Sequence, residues 1–116
     1  MLWSKSLAAM SFAPPLRLAN PAHLPYAGVM RIALAADHAG SLLKDELARW
    51  LGEQGHEVTD LGTNGPESVD YPEYGARVAK AVASGETERG IAICGSGIGI
   101  SIAVNRNPHC RCARVS

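Results

Sequence analysis

The stretch GIAICGSGIGISIAVN, Gly90–Asn105, decides the fold. Ile91, Ala92 and Ile93 form a short apolar run that closes on Cys94, and glycines at 95, 97 and 99 alternate with small or apolar residues before the run resumes. A buried strand, a glycine turn and a helix in direct succession form one unit of a parallel α/β sheet. The preceding RG and the following Arg106 extend the reading to a strand over RGIAICG (89–95) and a helix over SGIGISIAVNR (96–106).

Working outward, MRIALAAD (30–37) is a second buried strand. HAGSLLKDELARWLGEQG (38–55) follows at helical spacing, with Leu42, Leu43, Leu47, Trp50 and Leu51 expected on the core face and Gly52 or Gly55 as the stop. HEVTDLG (56–62) is a third strand, and TNGPESVDYPEYG (63–75) is a loop rich in turn formers. PEYGARVAKAVASGE (72–86) is an amphipathic helix with Pro72 in its first turn, and HCRCARVS (109–116) opens a fourth strand. This alternation, regular from Met30 onward, argues for an α/β domain on a parallel sheet with right-handed crossovers and helices on its faces. No helix follows the last strand in the sequence, so the expectation is a domain lacking C-terminal elements or completed by a partner, and prone to self-association.

Residues 1–29 differ in character. They hold four prolines, no acid, and Lys5 and Arg17 as the only basic residues. The prolines interrupt any apolar core of a secretory signal. The readings are a disordered leader, a transit-like segment, or sequence upstream of a true start at Met30.

Composition narrows the function. A chain of 116 residues suits one domain, and its 11 basic and 11 acidic residues cancel. Charge therefore gives no sign of a nucleic-acid partner, and no apolar run is long enough for a membrane helix. An odd count of three cysteines, two of them at 110 and 112, argues against a disulfide framework and for a reducing cytoplasm.

Ligands of open α/β sheets bind beyond the carboxyl ends of the strands. Asp37–His38 ends one strand, and Cys94 with its glycines ends another. Asp37 reads either as a helix cap or, beside His38, as part of a proton-transfer or anion-binding pair. Gly95, Gly97 and Gly99 match neither the dinucleotide fingerprint nor a mononucleotide P-loop. They serve either close helix–strand packing or a nest of backbone N–H groups that holds an anion or oxyanion. Cys94 is either a small buried residue or a thiol favoured as thiolate by the helix N-terminus. His109, Cys110 and Cys112 lack a second ligand pair, so they read as strand residues and not as a metal site.

Together, RIALAADHAG, LGTNGPESVDYPEYG, GIAICGSGIGISIAVNR and RCARVS resemble the ribose-5-phosphate isomerase B family, which also includes isomerases of hexose 6-phosphates. The resemblance covers Met30 to Ser116. It implies an aldose–ketose isomerase with a Rossmann-like three-layer α/β/α fold on a parallel sheet, acting on a sugar phosphate without metal or nucleotide, as a homodimer or homotetramer. Carried over by position, Cys94 is the base that moves a proton between C1 and C2. The N–H groups of Gly95, Ser96, Gly97, Ile98 and Gly99, with the Ser96 side chain, hold the enediolate oxygens. Asp37 and His38 contact the sugar phosphate, and Tyr71 lines the sugar pocket. The family's later segment brings a ring-opening histidine and phosphate-binding arginines, and His109 and Arg111 do not occupy those positions. The expectation is weak activity or none for the 116-residue chain alone. Galactose or allose 6-phosphate remains an alternative substrate, and a non-catalytic phosphosugar- or nucleotide-binding module is the alternative from another class.

Overall fold

The computed structural model describes residues 6–8, 28–65 and 67–115. In chain order these form β1 (Ser6–Ala8), β2 (Arg31–Ala36), a single 3-10 turn (His38–Gly40), α1 (Ser41–Glu53), β3 (Glu57–Asp60), α2 (Tyr71–Ala83), β4 (Arg89–Cys94), α3 (Ile98–Asn105) and β5 (Arg114–Val115). The sheet order is β3-β2-β4-β1-β5. Its parallel half follows from the alternation read in the sequence, with Ile32 opposite Val58 on one side of β2 and Leu34 opposite Ile91 on the other.

The period-two alternation of the strands divides the core between two faces. Ile32, Leu34 and Ile91 meet Leu47, Ala48 and Leu51 on the α1 side. Ala35, Ala92 and Cys94 meet Val78, Ala79, Val82, Ile100 and Val104 on the side of α2 and α3. These are the three layers expected. Pro72 lies in the first turn of α2. Gly55, with φ at +91°, turns the chain after α1, and the His56 N–H returns to the Leu51 carbonyl. This is the glycine stop expected at the end of that helix.

Three features depart from the sequence reading. On α1, Leu42 is 76% exposed and Trp50 52% exposed, so neither belongs to the core face. The inward stripe is Lys44, Leu47, Ala48 and Leu51, at helical spacing, with a lysine in an apolar position. The fourth strand shrinks to Arg114–Val115. Ahead of it, the Asn105 side chain takes both the N–H of Cys112, at 2.8 Å, and its carbonyl, at 2.9 Å, which holds that residue out of a ladder. Finally, Ser6–Ala8, inside the stretch read as a leader, forms a strand antiparallel to β4, with Ser6 opposite Cys94. It also pairs with β5, Leu7 opposite Val115. The outer edge of β4 presents a row of backbone donors and acceptors that any short extended segment can satisfy. The rest of the stretch read as a leader, before Gly28, lies outside the described residues.

Candidate active site

Cys94 is the last residue of β4 and is 4% exposed. Its sulfur accepts the Gly97 N–H at 3.0 Å. Gly97 has φ at +76°, a left-handed conformation that a side chain would oppose, and this aims its amide back at the thiol. Gly97 also caps α3. The Ile98 N–H donates to Ser96 Oγ at 3.2 Å. Two of the five amides expected to hold oxyanions are thus engaged inside the loop, one of them on the sulfur itself. Arg114, absent from the sequence reading of the site, donates Nε–H to the Ser96 carbonyl at 2.8 Å and ties β5 to the same loop.

Asp37 follows β2 and is buried. Its Oδ1 accepts the Gly40 N–H at 3.1 Å, which makes it the cap of the 3-10 turn. Its own N–H donates to the Ile93 carbonyl at 3.0 Å, so Asp37 stands beside the strand end that carries Cys94. A β-carbon on Gly40 would come within 2.5 Å of Ile93 Cγ2, and only glycine lets the turn close on β4 this tightly. His38 is exposed, and its Nδ1 accepts the Val69 N–H at 3.4 Å. That contact leaves the ring proton of the neutral tautomer on Nε2, facing away from the contact.

Tyr71 opens α2 and lays its ring on Gly99, where a β-carbon would lie 2.5 Å from Cε1 and Cζ. Gly99 therefore serves packing as well as the loop. Cys94, the 95–99 turn, Asp37, His38 and Tyr71 all gather at the carboxyl ends of β2 and β4, the end where open α/β sheets bind ligands.

A profile of the ribose/galactose isomerase family matches residues 32–116. The chain belongs to that family. It is 53% identical over 76 residues to ribose-5-phosphate isomerase B of Escherichia coli, covering 66% of this chain and 51% of that protein. The solved ribose-5-phosphate isomerase B of Clostridium thermocellum superposes with a TM-score of 0.67 at 57% identity, covering 68% of this chain and 53% of that one. The ribose 5-phosphate isomerase of Thermotoga maritima gives a TM-score of 0.65 at 47% identity, covering 66% and 53%. The chain spans about half the length of the relatives it matches.

Besides Arg114, two further features went unread in the sequence. The first is Lys44, whose side chain is fully buried and whose ammonium meets Asp60, Asp45 and Asn64. Burial disfavours its charge, but the hydrogen bonds to Asp45 and Asp60 outweigh that and hold it above its ordinary 10.5. A lysine among leucines at helical spacing, with an aspartate ending the next strand, was the available signal. The second is a groove of about 320 Å³ along Thr63, Asn64, Gly65, Glu67 and Val69, which includes none of the expected site residues. Among the described residues, no three histidines, cysteines or acids gather as a metal site would require. No helix among them is long and apolar enough to cross a membrane.

Proposed function

We propose that the chain is an aldose–ketose isomerase interconverting ribose 5-phosphate and ribulose 5-phosphate through an enediolate, with residues 30–116 as its isomerase-like domain. The observation that carries this reading is the Cys94 sulfur accepting the Gly97 N–H at the end of β4, in a chain of the ribose/galactose isomerase family. A pure binding module needs no thiol there.

In this reading the Cys94 thiolate takes the proton from C2 of the open-chain aldose. The C–H electrons form the C1–C2 double bond, and the carbonyl pair moves onto O1. The Gly97 amide stays with the sulfur, while the amides of Gly95, Ser96 and Gly99 hold the enediolate oxygens, and Ile98 and the Ser96 hydroxyl keep the loop in shape. The thiol returns its proton to C1, the O2 proton passes to O1, and C2 becomes the ketone. Asp37 fixes the turn that presents His38, His38 faces the phosphate, and Tyr71 walls the sugar. The three free thiols support a reducing, cytoplasmic setting, and exposed Ile98 and Ile102 on α3 support association of copies as a dimer or tetramer.

The test is deuterium exchange at C2 of ribose 5-phosphate in D2O, followed by proton NMR. Exchange is expected with the wild-type chain and a loss of about 10²–10⁴-fold with Cys94→Ala. Binding of ribose 5-phosphate without exchange would instead make the chain a phosphosugar-binding module, and exchange confined to galactose or allose 6-phosphate would move it to the hexose branch.

A further inference from the structure

Lys44 spends all three of its N–H donors on oxygens: Asp60 Oδ2 at 2.6 Å, Asp45 Oδ1 at 2.8 Å and Asn64 Oδ1 at 2.9 Å. Asp60 ends β3, and its other carboxylate oxygen accepts the Gly62 N–H at 2.9 Å. One ammonium therefore grips both sides of the Leu61–Asn64 segment. That segment in turn clasps the end of β2: the Ala36 N–H donates to the Gly62 carbonyl at 2.7 Å, and the Thr63 N–H donates to the Ala36 carbonyl at 2.9 Å. Ser41 at the start of α1 adds a bond from its hydroxyl to the Thr63 carbonyl at 3.2 Å. Ala36 precedes Asp37 and His38, and farther along the same loop the Val69 N–H reaches His38 Nδ1.

A lysine on an exposed helix face would be unremarkable, but this side chain has no solvent exposure and sits in the core stripe of α1. Such a residue loses hydration and side-chain freedom, and core packing alone would be served by leucine. What leucine could not do is join α1, β3 and the loop through directed bonds.

We infer that Lys44 is a positioning residue of the active site, fixing residues 61–64 against the carboxyl end of β2 and so, with Val69 on the ring, setting where His38 stands. The role rests on the isomerase reading only for its effect on turnover; the geometric effect on His38 and the loop is independent of that reading. Lys44 touches no substrate. Its loss would leave Cys94 and its loop in place and loosen the phosphate-facing side.

Two variants test this in the full chain. Lys44→Met removes the ammonium, and Asn64→Ala cuts only the link into the loop while the lysine keeps both carboxylates. The readouts are amide hydrogen exchange, the ring 15N shifts of His38, and the separate kcat and KM for ribose 5-phosphate. Both variants are expected to speed exchange at Gly62, Thr63 and Val69 by at least about tenfold, with Leu34 and Ala92 unchanged. The His38 ring shifts move, and KM rises about tenfold with kcat held within about threefold. Lys44→Arg, which keeps the charge, recovers part of each effect. Should Lys44→Met fail to fold, Asn64→Ala decides. Exchange that quickens equally in loop and core, or a loop and His38 ring that do not respond, would overturn the inference. A wild-type chain with no turnover would sink the isomerase reading, and exchange and ring shifts would still decide this one.

Discussion

Cys110 Sγ lies in the core between α2 and the 106–112 segment and donates to the Ala79 carbonyl at 3.2 Å. Burial pushes its ionisation up, and burial together with Cys110 pushes Cys112 up to about 11. A raised value means the thiolate appears only at higher pH. At pH 8 Cys112 is therefore roughly one part in a thousand ionised, and alkylation, which needs the thiolate, is correspondingly slow. Brief iodoacetamide treatment of the folded chain at pH 8 should leave Cys110 and Cys112 unmodified, with Cys112 labelling about tenfold faster per pH unit as pH climbs toward its own value. Peptide mass spectrometry reads this directly. Fast labelling of Cys112 at pH 8 would mean its surroundings are wetter than the structure shows. The hydrogen bond at Cys94 runs the other way: its sulfur accepts a backbone N–H where Cys110 gives its proton away.

At the scale of elements, Asn105 closes α3 and pins the next segment by a two-way bond to Cys112. Asn105→Ala removes both bonds and should cost about 1–2 kcal/mol in urea unfolding, with faster exchange of the Cys112 amide. An unchanged midpoint would show that the segment is held by packing alone. This interaction also explains part of what the sequence could disclose. Strands at 31–36 and 89–94 and the helices after them were legible because alternation and glycine turns are local signals. The shortening of the last strand was not, because it depends on one amide seven residues away. The face of α1 was misread for a related reason. Hydropathy ranks Leu42 and Trp50 as core and Lys44 as surface, and cannot see that Asp60 and Asn64 will satisfy the ammonium across the fold. Of the site, the residue types and the strand ends were legible. The use of the Gly97 amide on sulfur required coordinates, and so did the decision for a cap at Asp37 between the two readings open in the sequence.

For the molecule as a whole, β1 changes the expectation about its first residues. A leader that packs on nothing could be removed without loss. A strand paired to both β4 and β5 could not, since its removal leaves the β4 edge open and β5 without its neighbour. The chain 30–116 should therefore melt several degrees below the chain 1–116, and form more oligomer at equal concentration, by calorimetry and light scattering. Identical melting curves would show that β1 adds nothing to the sheet.

The same strand sets an order of events during synthesis. Ser6–Ala8 leaves the ribosome well before its partner Ala92–Cys94, and Arg114–Val115 emerge later still. While β2, α1 and β3 can close on one another as they emerge, Ser6–Ala8 must wait until β4 has been made. The loop they finally close takes in β2, α1, β3 and α2, so their pairing belongs among the slowest contacts to form. Until then the β4 edge beside Cys94 is open to any extended strand nearby, including the same strand of a second nascent chain.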